Sequence, residues 1–365
     1  MNTGVLIFSG YNQRAVISFC RFAEKNNILY FIIAQSLSDT IFLTEYKRKV
    51  LCIRKNNNFD NDDFIYYKSK TGLTNLIILP STEFLNRFIL KERKSLETLG
   101  FIIPLCNEEV YIKISDKKEF STICKNADIM IPNEYVSDNL QYPFVAKPLK
   151  YISNNNLIQK PVIIHNKKEY QHFNKTYNFD DFYLQEYIYG QSIYLLLYIN
   201  SNSNYSIYSQ KNLIQQSCGL SIIAAESSDH YKSNEFIKYY KLLKELGFFG
   251  LIMIEVRGDN FNFKMIEANP RLWGPSQLIL DADMDLFYKF CYDYNLINNI
   301  PKLNYKEGIK YFWSGGIYLD NRDNKEIAFH DYTKNDFFDN YSCLTKNDIY
   351  LADDTMQLFL KERGK

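Results

Sequence analysis

Two spacings of apolar residues alternate along the first hundred positions. VLIFS at 5–9 and ILYFIIA at 28–34 are short unbroken apolar runs, and between them Ala15, Phe19, Phe22 and Ala23 recur at helical intervals. This order predicts strand, turn, helix, strand, with Gly10 at the turn. VLCIR at 50–54 and LIILP at 76–80 continue the alternation, and the amphipathic stretch STEFLNRFILKERKSLETL at 81–99 reads as one further helix. A Rossmann-like α/β domain over residues 1–108 accounts for the pattern. Its first turn holds one glycine where a dinucleotide fingerprint has three, which argues against an NAD site.

A helix start is encoded at Ser115-Asp116-Lys117-Lys118-Glu119-Phe120, where Asp116 can cap and Glu119 stands three residues on, with Phe120, Ile123 and Cys124 on the buried face. Short β-like segments follow (YPFVAKP, PVIIH, FYLQEYI, SIYLLLYI and YSIYSQ), separated by Asn/Ser-rich turns, and together predict a small, mostly antiparallel lid, roughly 130–190. Residues 233–246 are helical in pattern and stop at Gly247. GLIMIEVRG and FNFKMIEAN then read as two strands joined across Gly258-Asp259-Asn260, and DADMDLFYKFCYDYNLI as another helix. A mixed α/β and α+β protein results, with a second domain over 109–300 and a C-terminal extension, 301–365, packed on the core.

Composition narrows the function. With 43 Lys+Arg against 42 Asp+Glu the net charge is +1, too balanced for a nucleic-acid or anionic-membrane partner to be inferred from charge. The seven cysteines are scattered, without metal-ligand spacing, and read as reduced thiols. MNTGVLIFSG has no leader character and no apolar run is long enough to span a bilayer, so a cytoplasmic protein acting on small molecules is expected. The 30 Tyr and 27 Phe, with Asn-rich clusters, read as compositional bias rather than as a base-stacking surface.

Against that background, FKMIEANPRLW stands out. Glu267 and Asn269 are two apart on a strand, so both oxygen donors project from one face. Glu255 lies on the preceding strand between apolar residues, where a carboxylate needs a partner. Carboxylate and amide oxygens suit Mg²⁺. Pro270 ends ladder pairing and leaves Arg271 at the strand exit, placed to hold a phosphoryl group. A tight turn at Gly258 would set Glu255 out of register with Glu267, so convergence requires a wider turn or strong twist. The other reading of these residues is a solvated sheet face with Arg271 paired to a carboxylate.

Taken as one ordered string, Glu255 followed by Glu267-Ala268-Asn269-Pro270-Arg271 resembles the metal-binding signature of the ATP-grasp superfamily, a Glu and then Glu-x-Asn-x-Arg. The resemblance spans about residues 110–295, and the opening unit resembles the domain that precedes the grasp. It implies ATP and Mg²⁺ as cofactors, with Mn²⁺ as an alternative, metal binding by Glu255, Glu267 and Asn269, and catalytic roles for Arg271 and Lys147. Lys147 lies in the phosphate-contacting strand YPFVAKP, and Lys117 is similar to the family's other nucleotide-contacting lysine. Glu186, Tyr187 and Ile188 correspond to the adenine-reading hinge, and Gln215 and Gly219 to the loop before the catalytic strands. Two departures stand out: KYISNNN at 150–156 lacks the usual glycines, and Gln191-Ser192 replace an acidic ribose contact. Gly10, Arg14 and 81–83 fall where relatives bind the carboxylate or its partner, although a surface loop is the simpler reading.

The implied activity is ADP-forming ligation of a carboxylate to an amine through an acyl phosphate, with a homodimer left open. A phosphotransferase, or a nucleotide-binding regulatory module with reduced turnover, is the alternative. No Ser/His/Asp or Cys/His set competes with this reading.

Overall fold

A computed structural model describes residues 3–55, 58–136, 139–151, 159–259 and 262–364. Most of the glycine-poor loop, 152–158, and Asn260 of the hairpin turn lie outside the described residues.

The opening apolar runs form a five-stranded parallel sheet. Its strands are β1 (Thr3–Phe8), β2 (Tyr30–Ala34), β3 (Val50–Ile53), β4 (Asn75–Ile78) and β5 (Phe101–Ile102), in the order β3-β2-β1-β4-β5. Helix Gln13–Lys25 follows β1, as the spacing predicts. At the turn Gly10 has φ +92°, and a Cβ there would overlap the Gln35 side chain, so the glycine is required. The expected helix over 81–99 is two helices, Glu83–Lys91 and Arg93–Thr98, which meet at Glu92. A further helix, Glu108–Ser115, precedes the predicted one at Lys117–Asn126, and Asp116 caps the latter by accepting from the Glu119 amide at 2.8 Å.

The lid is a four-stranded antiparallel sheet of β6 (Glu134–Tyr135), β7 (Phe144–Pro148), β8 (Val162–Ile164) and β9 (Phe182–Glu186), ordered β6-β9-β7-β8. Its own small core is Phe144, Ala146, Ile164, Phe173, Phe182 and Leu184.

The segments SIYLLLYI and YSIYSQ were expected in the lid, and the structure places them elsewhere. They are β10 (Gln191–Ile199) and β11 (Tyr205–Gln215), the centre of a third sheet completed by β12 (Ile222–Ser228), β13 (Gly250–Gly258), β14 (Lys264–Asn269), β15 (Lys310–Phe312) and β16 (Ala328–Phe329). The reason is burial on both faces: Ile193, Leu195, Leu197 and Ile199 enter one core, and Tyr194, Leu196 and Tyr198 the other. The C-terminal residues do more than pack on the core. β15 extends the sheet beyond β12, and β16 pairs with the end of β11. Among the described residues, no helix is long and apolar enough to cross a membrane.

Candidate functional site

Glu255 and Glu267 are direct neighbours across β13 and β14. The pairing runs Arg257 to Lys264, Val256 to Met265 and then Glu255 to Glu267, so Ile266 is an extra residue bulged out of β14. The turn is therefore wide, and the bulge shifts the register by the one residue needed to bring the carboxylates onto one face. The displaced Ile266 carbonyl accepts from Lys147 Nζ at 2.7 Å.

Around these carboxylates the charges alternate. Lys117 Nζ lies 2.5 Å from Glu267 Oε2, and Asn269 Nδ2 donates to Glu267 Oε1 at 2.8 Å. Arg271 Nη2 donates to Asn269 Oδ1 at 3.0 Å, and Arg257 Nε to Glu255 Oε1 at 2.6 Å. Burial by itself raises the Glu267 carboxyl, but the adjacent Lys117 and the hydrogen bonds from Lys117 and Asn269 outweigh it and hold the group down at about 2. Burial, with the like charge of Lys117 second, lowers Lys147 to about 8. The same exchange with Glu267 keeps Lys117 protonated above its ordinary range despite burial.

Register in the lid explains why Lys147 points into this cluster. Lys147 pairs with Tyr183 and Val145 with Gln185, so these four side chains share the face opposite the lid core. That face and the β13–β14 hairpin enclose a cavity of about 310 Å³. Val145, Ile163, Leu220 and Ile266 give it apolar walls, Lys147, Glu255, Glu267 and Arg271 line its charged part, and Gln185, Glu186, Tyr187 and Ile188 line the hinge. Lys117 and Asn269 do not line it; both sit behind Glu267, to which each is hydrogen-bonded. Glu186, expected among the nucleotide contacts, has its carboxylate engaged by Lys264 and Asn133. Its neighbour Gln185 is fully buried, with neither amide atom hydrogen-bonded, and the sequence reading passed it over. Strand alternation beside Lys147 was the available signal.

Two further residues belong to this region: Arg257, which carries no signal in the sequence, and His330, one of four scattered histidines there without an assigned role. Arg257 is nearly buried beside Glu255 and also donates to Gln215 Oε1 at 2.7 Å. Gln215, expected in the loop before the catalytic strands, lies at this junction, whereas Gly219 lines the cavity. Ser192, at the position of the missing ribose acid, donates to Glu255 Oε1 at 3.2 Å, and Gln191 donates to Asp331 at 3.0 Å. Arg14 and Ser81 are not surface-loop residues. Arg14 is buried, donates to the Ile222 carbonyl at 2.7 Å and stacks 3.8 Å from the centre of the Trp313 ring. Ser81 is fully buried, and its carbonyl and that of Leu272 both accept from Asn12 Nδ2, tying the opening domain to the loop after Arg271.

The oxygen set of Glu255, Glu267 and Asn269, free of sulfur and imidazole, fits a hard cation that completes its shell with water and phosphate oxygens. Among the described residues no three His, Cys, Asp or Glu side chains converge on a point, so such a cation depends on Asn269 and on its ligand for the remaining positions.

A parallel α/β domain, a small antiparallel lid and a central sheet whose last hairpin carries Glu255 and Glu267 together form the ATP-grasp fold. Biotin carboxylase from Campylobacter jejuni, solved as a β,γ-ATP complex, aligns with a TM-score of 0.60 over 84% of this chain and 74% of its own, at 13% identity. An ADP complex of N5-carboxyaminoimidazole ribonucleotide synthetase aligns at 0.61 over 88% and 85%, also at 13% identity. The biotin carboxylase domain dimer of Hydrogenobacter thermophilus 2-oxoglutarate carboxylase, bound to MgADP, ADP and bicarbonate, aligns at 0.60 over 78% and 68%, at 14% identity. No family model matches the sequence, and no curated protein does so either.

Proposed function

We propose that this protein is an ATP-dependent, ADP-forming ligase that joins a small-molecule carboxylate to an amine through an acyl phosphate. One observation carries the reading: a single cavity runs from a buried, unpaired amide at the hinge to two opposed carboxylates flanked by Lys117, Lys147 and Arg271. That is a dipolar end for a base and a mixed-charge end for a metal-bound triphosphate. The solved neighbours with ATP, ADP or MgADP in the same fold support it.

In this reading the base lies between Val145 and Ile163 on one side and Leu220 and Ile266 on the other, against the backbone of Tyr187 and Ile188. Gln185 offers one donor and one acceptor to the base edge, the pairing adenine accepts. Glu255, Glu267 and Asn269 hold Mg²⁺, which offsets phosphate charge when bound. Lys117 turns from Glu267 to a phosphate oxygen, and Lys147, in its protonated form, sets a positive charge beside the phosphates. A substrate carboxylate oxygen attacks the γ-phosphorus, the bond to the β,γ-bridging oxygen breaks, and ADP leaves. Arg271 compensates the charge on the transferring group. The amine then attacks the acyl carbon, expels phosphate and loses a proton. A lid closed over the cavity keeps water from the acyl phosphate.

Purified protein with ATP and Mg²⁺ is tested against amino acids, peptides and sugar acids paired with amines, with ADP release and hydroxylamine trapping as readouts. Substrate-stimulated ADP with a hydroxamate product supports the ligase. ADP with a stable phosphorylated product and no hydroxamate identifies a phosphotransferase instead, and ATP binding without turnover identifies a regulatory module.

A further inference from the structure

One wall of the cavity is held from behind by the C-terminal segment. Cys218, Gly219 and Leu220, on the connection between β11 and β12, face the cavity. Cys218 has φ +58°, a left-handed backbone that a non-glycine residue keeps only where its surroundings fix it. The turn closes on itself, with the Gln216 amide donating to the Ser221 carbonyl at 2.9 Å, and the rest of its support comes from beyond residue 313. Asp320, buried on helix Ser314–Arg322, accepts from the Ser217 amide at 2.7 Å and from Gln216 Nε2 at 3.2 Å. His330, just after β16 and also buried, places Nε2 2.9 Å from Gln215 Oε1, the oxygen that already accepts from Arg257 Nη2. Since Gln215 Nε2 donates to the Leu220 carbonyl at 2.8 Å, one side chain joins the C-terminal segment, the Glu255 partner and the cavity wall.

The chemistry of that junction is fixed by counting hydrogens. An amide oxygen has two lone pairs, and with Arg257 using one, the His330 contact is a bond only if Nε2 carries the proton. Both the neutral Nε2–H ring and the imidazolium can donate there; burial and, secondarily, Arg257 lower the ring's pKa to about 3, which selects the neutral form.

We propose that His330 and Asp320 are positioning residues for the nucleotide cavity: they fix the 217–220 wall and the Arg257 guanidinium, which makes 301–365 a working part of the site. The role toward nucleotide rests on the ligase reading, whereas the fixing of the wall does not.

The test uses the full chain with His330→Leu, Asp320→Ala and the conservative His330→Gln, whose amide can still donate to Gln215. Amide hydrogen exchange of 217–220 is measured without nucleotide, and KM for ATP is separated from kcat. Leu and Ala at these positions are expected to speed exchange in 217–220 by about tenfold, with the parallel sheet unchanged. They are also expected to raise KM for ATP by about tenfold, equivalent to about 1.4 kcal/mol, with kcat little altered. His330→Gln should recover most of both effects. Unchanged exchange in 217–220, exchange that rises uniformly across the chain, or a His330→Gln variant as poor as His330→Leu overturns the proposal. If exchange responds selectively but the wild type shows no ATP-dependent turnover, the positioning stands and the ligase reading fails.

Discussion

Glu255 faces Glu267 across the last hairpin of the central sheet because Ile266 is bulged out of the ladder between them. Two carboxylates side by side repel, and the structure offsets this with a separate cation for each, Arg257 for Glu255 and Lys117 for Glu267.

Glu267→Gln removes one charge and almost no volume. Magnesium-dependent ADP release is expected to fall by at least about 100-fold, with Tm moving only a few degrees. A coupled ADP assay beside calorimetry checks this, and full activity in the variant contradicts the metal assignment.

The Glu255–Arg257 pair is almost fully buried, so removing one partner strands the other. Arg257→Met is expected to lower stability by about 3–5 kcal/mol, and the double variant Glu255→Gln/Arg257→Met by clearly less. Urea denaturation of the wild type, both singles and the double measures the coupling. Additive losses show that the two charges do not depend on each other.

Gln185 is buried with both amide atoms unpaired. Replacing it with Leu is expected to raise KM for ATP about tenfold, because a base edge loses two hydrogen bonds at a buried position. Steady-state kinetics with ATP and GTP is the check. An unchanged KM removes Gln185 from base recognition.

Lys147, lowered to about 8, loses its charge within an accessible range. The kcat/KM for ATP, which reports the free enzyme, should therefore fall as pH rises through about 8. Lys147→Arg, always protonated, should lose that basic limb. Stability moves the other way: the unfolded lysine titrates near its ordinary 10.5, so between about 8 and 10.5 the unfolded chain binds more protons and stability rises with pH. For Glu267, held down at about 2, the contribution is present above its ordinary 4.5 and is lost as pH falls through about 2. Denaturation at stepped pH separates the two windows.

The sequence by itself determined the parts whose signals are local. Alternating apolar runs set out β1, the first helix and β2. Asp116 three residues before Glu119 marked a helix start, and Glu267, Asn269 and Arg271 at fixed intervals marked the hairpin as chemical. Tertiary structure decided what depends on pairing between distant strands. β10 and β11 lie in the central sheet rather than the lid because both of their faces are covered, and local alternation cannot show what covers a face. Glu255 meets Glu267 only through a bulge, since one extra residue in a ladder leaves no mark on hydrophobic period. Gln185 is identified by the bonds it lacks, and His330 by a neighbour 115 positions away. Both are properties of packing, in which burial turns an ordinary polar residue into one that must find a partner.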